Sequence, residues 1–205
     1  MNIVKRAVLP ALALLLALGL VSCGASGPDM PMELTVNGKT VAMGRTTTGE
    51  MADWGWELAY MSSPGEIRSD AEYASCDYHV MVDGGGPGRE FWVSVYVPFR
   101  KNMSGDYVDL SAEVEESRTA GVVYRVSVRK SAGDKLDIAY NGTDLQNITW
   151  DTAAEWGAEV EEDDHGKEAE LDAAQGVLTF EKSYTSDRMN ELTVTMSDSA
   201  FSKLQ

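Results

Sequence analysis

The chain is poor in the residues that support metal and redox chemistry. It has two cysteines and two histidines in 205 residues. No H-E-x-x-H, C-x-x-C or EF-hand loop occurs, so the common local patterns for zinc, thiol exchange and calcium are missing. Cations are scarce too: 17 Lys and Arg stand against 33 Asp and Glu, a formal net charge of −16. Such a surface repels nucleic acid and anionic lipid, which argues against a phosphate-backbone binder. Long hydrophobic runs are also lacking. A membrane-spanning helix needs about twenty apolar residues, and the uncharged stretch Ala7–Val21 stops at fifteen.

Nucleophile and phosphate motifs fail in the same way. No G-x-S-x-G is present, and Gly84-Gly85-Gly86-Pro87-Gly88 lacks the G-K-[ST] of a phosphate loop and reads as a hairpin turn. Ser127-Val128-Arg129-Lys130 fits S-x-x-K, but it lies in an alternating run that sets Ser127 and Lys130 on opposite faces. The companion S-D-N and K-T-G motifs are absent. No catalytic residue, cofactor site or metal site is assigned, and the chain is read as a non-enzyme.

What is present begins with Lys5 and Arg6, then the short apolar run, then small residues, the layout of a secretory signal peptide over 1–22. Leu20-Val21-Ser22-Cys23 resembles the lipobox of bacterial lipoproteins. That resemblance implies diacylglycerol on the Cys23 thiol, cleavage before Cys23, and a lipid anchor on the extracytoplasmic face of a bacterial cell membrane. The mature chain then has 183 residues (205 − 22) and a charge of 15 − 33 = −18, because Lys5 and Arg6 leave with the signal. Residues 23–32 (CGASGPDMPM) read as a lipidated flexible tether. With Cys23 acylated, Cys76 is the remaining cysteine, so no intrachain disulfide is expected. In CDYHVMVD, Cys76, Tyr78, Val80 and Val82 share one strand face and Asp77, His79, Met81 and Asp83 the other.

The rest of the chain repeats itself. LTVNGKTVAMGRTTTGEMADWGWEL and LDIAYNGTDLQNITWDTAAEWGAEV each carry an alternating run, Asn-Gly, a threonine, and Trp-Gly seven residues after it. Asn37-Gly38 and Asn141-Gly142 predict type I′ hairpins. Thr47 and Thr149 predict helix N-caps, with Glu50 completing a capping box and Asp151 in a first turn. Gly55 and Gly157 predict helix ends, and Trp54 and Trp156 are expected to pack each helix on a sheet. Strands are expected at Cys76–Asp83, Glu90–Pro98, Tyr107–Glu115, Val122–Arg129, Val177–Ser183 and Glu191–Met196. The expected fold class is α+β: two tandem repeats, 33–116 and 117–205, each a β-hairpin, a short helix and antiparallel strands.

These paired Asn-Gly, Thr and Trp-Gly elements resemble a broad class of bacterial lipoproteins and secreted proteins. They are similar to the small outer-membrane-assembly lipoproteins and the tandem-repeat β-lactamase inhibitor proteins. The chain departs from the inhibitors in having no cysteines for a disulfide in each repeat. The resemblance implies binding to other proteins rather than catalysis. The expected function is therefore a membrane-anchored, non-catalytic protein-binding module of the cell envelope, with an unidentified envelope protein as partner. A small-solute or cation-binding lipoprotein is the alternative. Glu159–Glu170 (EVEEDDHGKEAE) is the one acidic run that could attract cations, and it reads as a solvated loop between helix and strand.

Overall fold

The computed structural model describes residues 27–62, 73–99, 103–104, 107–108, 111–162, 166–183 and 186–205. The expected signal peptide and Cys23 lie outside these residues. Among the described residues no helix is long and apolar enough to cross a membrane.

Local signals act where the chain alone can satisfy them. β1 (Glu33–Val36) and β2 (Lys39–Ala42) join through Asn37 and Gly38 at φ 48° and 72°. β9 (Ile138–Tyr140) and β10 (Thr143–Asp144) join through Asn141 and Gly142 at 48° and 73°. Both turn positions have positive φ, as a type I′ turn requires. Helix α1 (Thr48–Asp53) opens on the Thr47–Glu50 capping box. Its counterpart α4 (Trp150–Trp156) is capped by Thr149, with Thr152 taking the reciprocal role of the acid. Gly157 closes α4 in the left-handed conformation at φ 101°.

The remaining elements are β3 (Glu57–Ser62), β4 (Tyr73–Met81), β5 (Glu90–Pro98), β6 (Met103–Ser104), β7 (Tyr107–Val108), α2 (Ser111–Ala120), β8 (Val122–Arg129), α3 (Lys130–Gly133), a 3-10 turn (Leu145–Asn147), β11 (Glu159–Glu162), β12 (Lys167–Ala173), β13 (Gly176–Ser183), β14 (Ser186–Met196) and α5 (Asp198–Ser202). The class is α+β with antiparallel sheets. One sheet has eight strands in the order β11-β12-β13-β14-β8-β5-β4-β3, and a second has four in the order β10-β9-β1-β2.

A single hydrophobic cluster fills the space between the layers. Val126, Val128, Leu192 and Val194 from the large sheet meet Leu34, Val36, Ile138 and Tyr140 from the small one. The alternation in β4 holds: Cys76, Tyr78 and Val80 are buried, as is Val82 just beyond it, while Asp77, His79 and Met81 face the other way.

Four expectations change. Tyr107–Glu115 is not one strand, since β7 ends at Val108 and α2 begins at Ser111. SAEVEESRTA is rich in Ala and Glu, good helix formers. Its buried side chains are Glu113 and Ser117, one helical turn apart. The Ser117 carbonyl accepts the Thr48 hydroxyl at 2.8 Å, and Ser117 Oγ lies 2.6 Å from Tyr78 Oη, which ties α2 to α1 and β4. The boundary at 116/117 therefore falls inside α2, and both sheets draw strands from either side of it. Residues 28–32, expected as part of a tether, are docked on the fold. Met30 and Met32 are buried, Ala174 N donates to the Pro28 carbonyl at 3.0 Å, and Tyr140 Oη donates to the Pro31 carbonyl at 2.9 Å. Burying two methionines offsets the ordering cost of a segment that reads as flexible on composition alone. Finally, the acidic run is not a loop throughout: Glu159–Glu162 and Lys167–Ala173 form a paired β-hairpin at the sheet edge.

Candidate functional site

The large sheet has one face against the core and one toward solvent, as antiparallel sheets commonly do. The outward residues follow from pairing register. Across the first strands, His79 stands opposite Trp92, Trp92 opposite Ser127, and Ser127 opposite Thr193. The row is ordered by contacts among its own side chains. The His79 ring stacks on Trp92 with centroids 5.3 Å apart and planes 16° apart. The Arg129 guanidinium lies 4.6 Å from the Trp92 ring centroid. Its Nε donates to Glu191 Oε2 at 2.9 Å, and the Ser127 hydroxyl donates to the other Glu191 oxygen. His79 Nε2, closed off from solvent, sits 3.2 Å from Glu90 Oε2 as an ion-pair contact when the ring is protonated.

An irregularity enlarges the aromatic part of this face. Ser94 pairs with Arg125 but Val95 pairs with Val123, so Tyr124 is an extra residue on β8. A bulge of this kind re-aims a side chain. Strict alternation from Val126 and Val128 would place Tyr124 on the core face. Tyr124 instead turns outward and stacks on Tyr96 at 3.8 Å and 8°, while Val123 takes the core position. Ser75 Oγ lies 2.9 Å from Tyr124 Oη, and Tyr96 Oη donates to Asp198 Oδ1 at 2.9 Å. Burial and the Asp198 contact hold the Tyr96 hydroxyl protonated well above its usual range.

Acids dominate the other end of the face. Glu159 stands opposite Glu170 and Glu161 opposite Glu168, with Asp172 continuing the row on β12. These five carboxylates line a concavity of about 480 Å³ bordered by Gly27 and Pro28. Among the described residues no three His, Cys, Asp or Glu side chains are grouped to hold a metal ion. Asp163, Asp164 and His165 of the acidic run lie outside the described residues.

Glu181 joins the two parts. Burial raises its carboxyl pKa; Glu191 and Glu168 push the same way, and Arg125 and Arg129 oppose them. A carboxyl raised in the folded state binds more protons folded than unfolded, so stability falls as pH rises through the raised pKa. Glu181→Gln is therefore expected to shift the urea midpoint upward at pH 7. The gap should close as pH falls below the raised pKa, where the wild-type carboxyl takes up its proton. Equal midpoints at pH 7 would contradict it.

The sequence motifs set aside above stay apart. Lys130 Nζ donates to the Ile148 and Gln146 carbonyls at 2.6 and 3.1 Å and so ties α3 to the 3-10 turn, while Ser127 binds Glu191. Cys76 is fully buried, on the face opposite His79. Sequence reasoning missed Trp92, Arg129 and Glu191. Trp92 could have been found, since it occupies the outward phase of a strand whose inward phase is Phe91, Val93, Val95 and Val97. No protein-family model matches this chain, and the searches of curated proteins and of solved structures found no match either.

Proposed function

We propose that this protein is a non-catalytic protein-binding module, held by lipid on Cys23 at the extracytoplasmic face of a bacterial cell membrane. The docking face is the solvent side of the eight-stranded sheet. The observation that carries the reading is the Trp92–Arg129–Glu191 row with its stacked His79. Trp, Tyr and Arg are the residues that dominate binding hot spots. Here the rings and the guanidinium are fixed before any partner arrives, which lowers the ordering cost of association.

The module is also inferred to be an internal duplication. Supporting it, β1 pairs with β9 in a register symmetric about Thr35 and Ala139, with Asn-Gly ending both strands. Strands β3-β4-β5-β8 and β11-β12-β13-β14 each form an antiparallel run, and the two runs meet at the β8–β14 pair. On this reading the repeat boundary lies between α3 and β9, and the stretch containing α2 is an insertion in the first repeat.

Crosslinking in intact cells followed by mass spectrometry tests the binding reading. One envelope protein should dominate, and Trp92→Ala or Arg129→Ala should cut its yield about tenfold, the scale of a lost hot-spot contact. A wild-type yield from both variants would refute the assignment of this face. The alternative, a solute or cation binder, draws on the acidic concavity. Saturable Ca²⁺ binding of micromolar affinity by calorimetry, lost on replacing Glu168 and Glu170 with Gln, would favour it.

A further inference from the structure

We propose that His79 is a proton-operated latch on the docking face: its imidazolium holds the Trp92 ring in place, and the neutral imidazole lets that ring move. That the latch governs docking rests on the protein-binding reading above; the latch itself concerns only these side chains. One nitrogen carries the case. His79 Nε2 is closed off from solvent and lies 3.2 Å from Glu90 Oε2, yet it has no hydrogen-bond partner among the described residues. The distance suits a bond, so it is the direction that fails. A hydrogen bond weakens steeply off line, whereas the attraction between two charges depends on their distance. The same contact therefore holds an imidazolium firmly and a neutral ring poorly.

The atoms allow the change of state. A lone pair on Nε2 would face the lone pairs of the Glu90 carboxylate, so Nε2 keeps a proton throughout and Nδ1 gains and loses the other. The His79 side chain keeps 24% of its exposure and Glu90 34%, so water reaches the pair. Imidazole changes charge between about pH 5 and 8. Arg129, on the other side of Trp92, keeps its charge across that range.

Position gives the latch its target. His79 on β4 and Arg129 on β8 come from the two strands that flank β5, and both lie against Trp92 between them. Arg129 is fixed by Glu191. The charged groups around the His79 ring are Glu57 from β3, Asp77 from β4, Glu90 from β5 and, across the indole, Arg129 from β8. Asp77 accepts from the Ser94 hydroxyl at 2.7 Å. Glu57 is exposed, one outward step along β3 from Ala59, the residue opposite His79. Glu90 is the carboxylate in contact with the ring. An imidazolium also binds the indole face more strongly than a neutral imidazole, by cation–π attraction. Trp92 is thus gripped from both sides when His79 is charged, and from one side when it is not.

The test follows the full chain in neutral detergent by NMR, from about pH 5 to 8. Trp92→Phe assigns the Trp92 indole N–H, and His79→Gln assigns the His79 ring. The indole should show an order parameter of about 0.85 while His79 is charged, falling below about 0.6 as it loses its proton, with one midpoint for both signals. Glu90→Gln keeps the shape and removes the charge, and should leave Trp92 at the lower value throughout, as should His79→Gln. His165→Gln should keep the wild-type step. Unmoved signals from the other four tryptophans (5 − 1) show that each variant folds. A Trp92 signal that ignores the His79 titration, or a step that survives in Glu90→Gln, overturns the latch.

Envelope crosslinking at about pH 6 and about pH 8 separates the latch from the reading beneath it. A side chain ordered in advance lowers the cost of association, so the partner yield should be about threefold higher at the lower pH, with the difference lost in Glu90→Gln. Equal yields at the two pH values overturn the latch's control of docking. A crosslink lost in Trp92→Ala with no coupled NMR step overturns the latch and leaves the protein-binding reading standing. A coupled step with no envelope protein captured by any form upholds the latch and overturns the protein-binding reading.

Discussion

Trp56→Ala is expected to cost about 3–5 kcal/mol of folding stability, the range for emptying a large aromatic site in a core. Trp56 retains 5% of its exposure and sits edge-on to Trp54 at 4.9 Å and to Phe91 at 5.5 Å. Its backbone N–H bonds to the Met51 carbonyl just past α1, so the ring is aimed inward by the helix end itself. Neighbours fixed by helix α1 and strand β5 cannot collapse into the space. Trp54, which the sequence marks as the anchoring residue, is only partly buried, and Trp54→Ala should cost less. Urea denaturation of both variants checks the order. A Trp54→Ala loss larger than that of Trp56→Ala would contradict this account of the core.

Cys23→Ala is expected to leave Met1–Ser22 attached and to abolish acylation. The motivation is the Lys5/Arg6 start, the short apolar run and Leu20-Val21-Ser22-Cys23. Each buried CH₂ contributes about 0.8 kcal/mol and one acyl chain anchors only marginally, so stable anchoring calls for two chains or more. Mass spectrometry of membrane-extracted protein reads the outcome: a wild-type mature N-terminus at an acylated Cys23, and a longer, unacylated chain in the variant. Unmodified Cys23 in the wild type would sink the lipoprotein reading. The docked start of the fold adds a second expectation. Gly27 is packed so closely that a Cβ there would lie 2.2 Å from the Asp172 carbonyl oxygen. Four residue steps from Cys23 to Gly27 span at most about 14 Å. With Cys23 acylated, the folded body would be held close to the bilayer, with Gly27 the described residue nearest the anchor.

Much of the local structure was legible because its causes are local. Asn37-Gly38 and Asn141-Gly142 choose their turns through φ alone, Thr47 and Thr149 cap helices within three residues, and alternation in β4 sorts Cys76 and Tyr78 from Asp77 and His79. Other features depend on partners distant in sequence. The flexible reading of Met30 and Met32 failed because the surfaces that bury them are built more than a hundred residues later: Tyr140 Oη bonds to the Pro31 carbonyl between them, and Ala174 N to the Pro28 carbonyl just before. Period-two counting from Val126 puts Tyr124 on the wrong face because it assumes an unbroken ladder, and the register shift between Ser94 and Val95 adds one residue. Glu113 lies in Tyr107–Glu115, whose alternation suited a strand, and the contacts that Ser117 makes with α1 and β4 favoured the helix.

By itself, then, the sequence determined the α+β class, the turns, the caps, most strand positions and the sign of the surface charge. Each of these depends on residues within a few positions of one another or on composition. Only the tertiary structure decided which strands share a sheet, that Trp92 meets Arg129, and that Glu159 and Glu161 face Glu170 and Glu168. The physical reason is that strand pairing joins distant segments through backbone groups that are alike at every residue. Periodicity fixes which side of a strand is buried, and the choice of neighbour is left to the packing of the whole core.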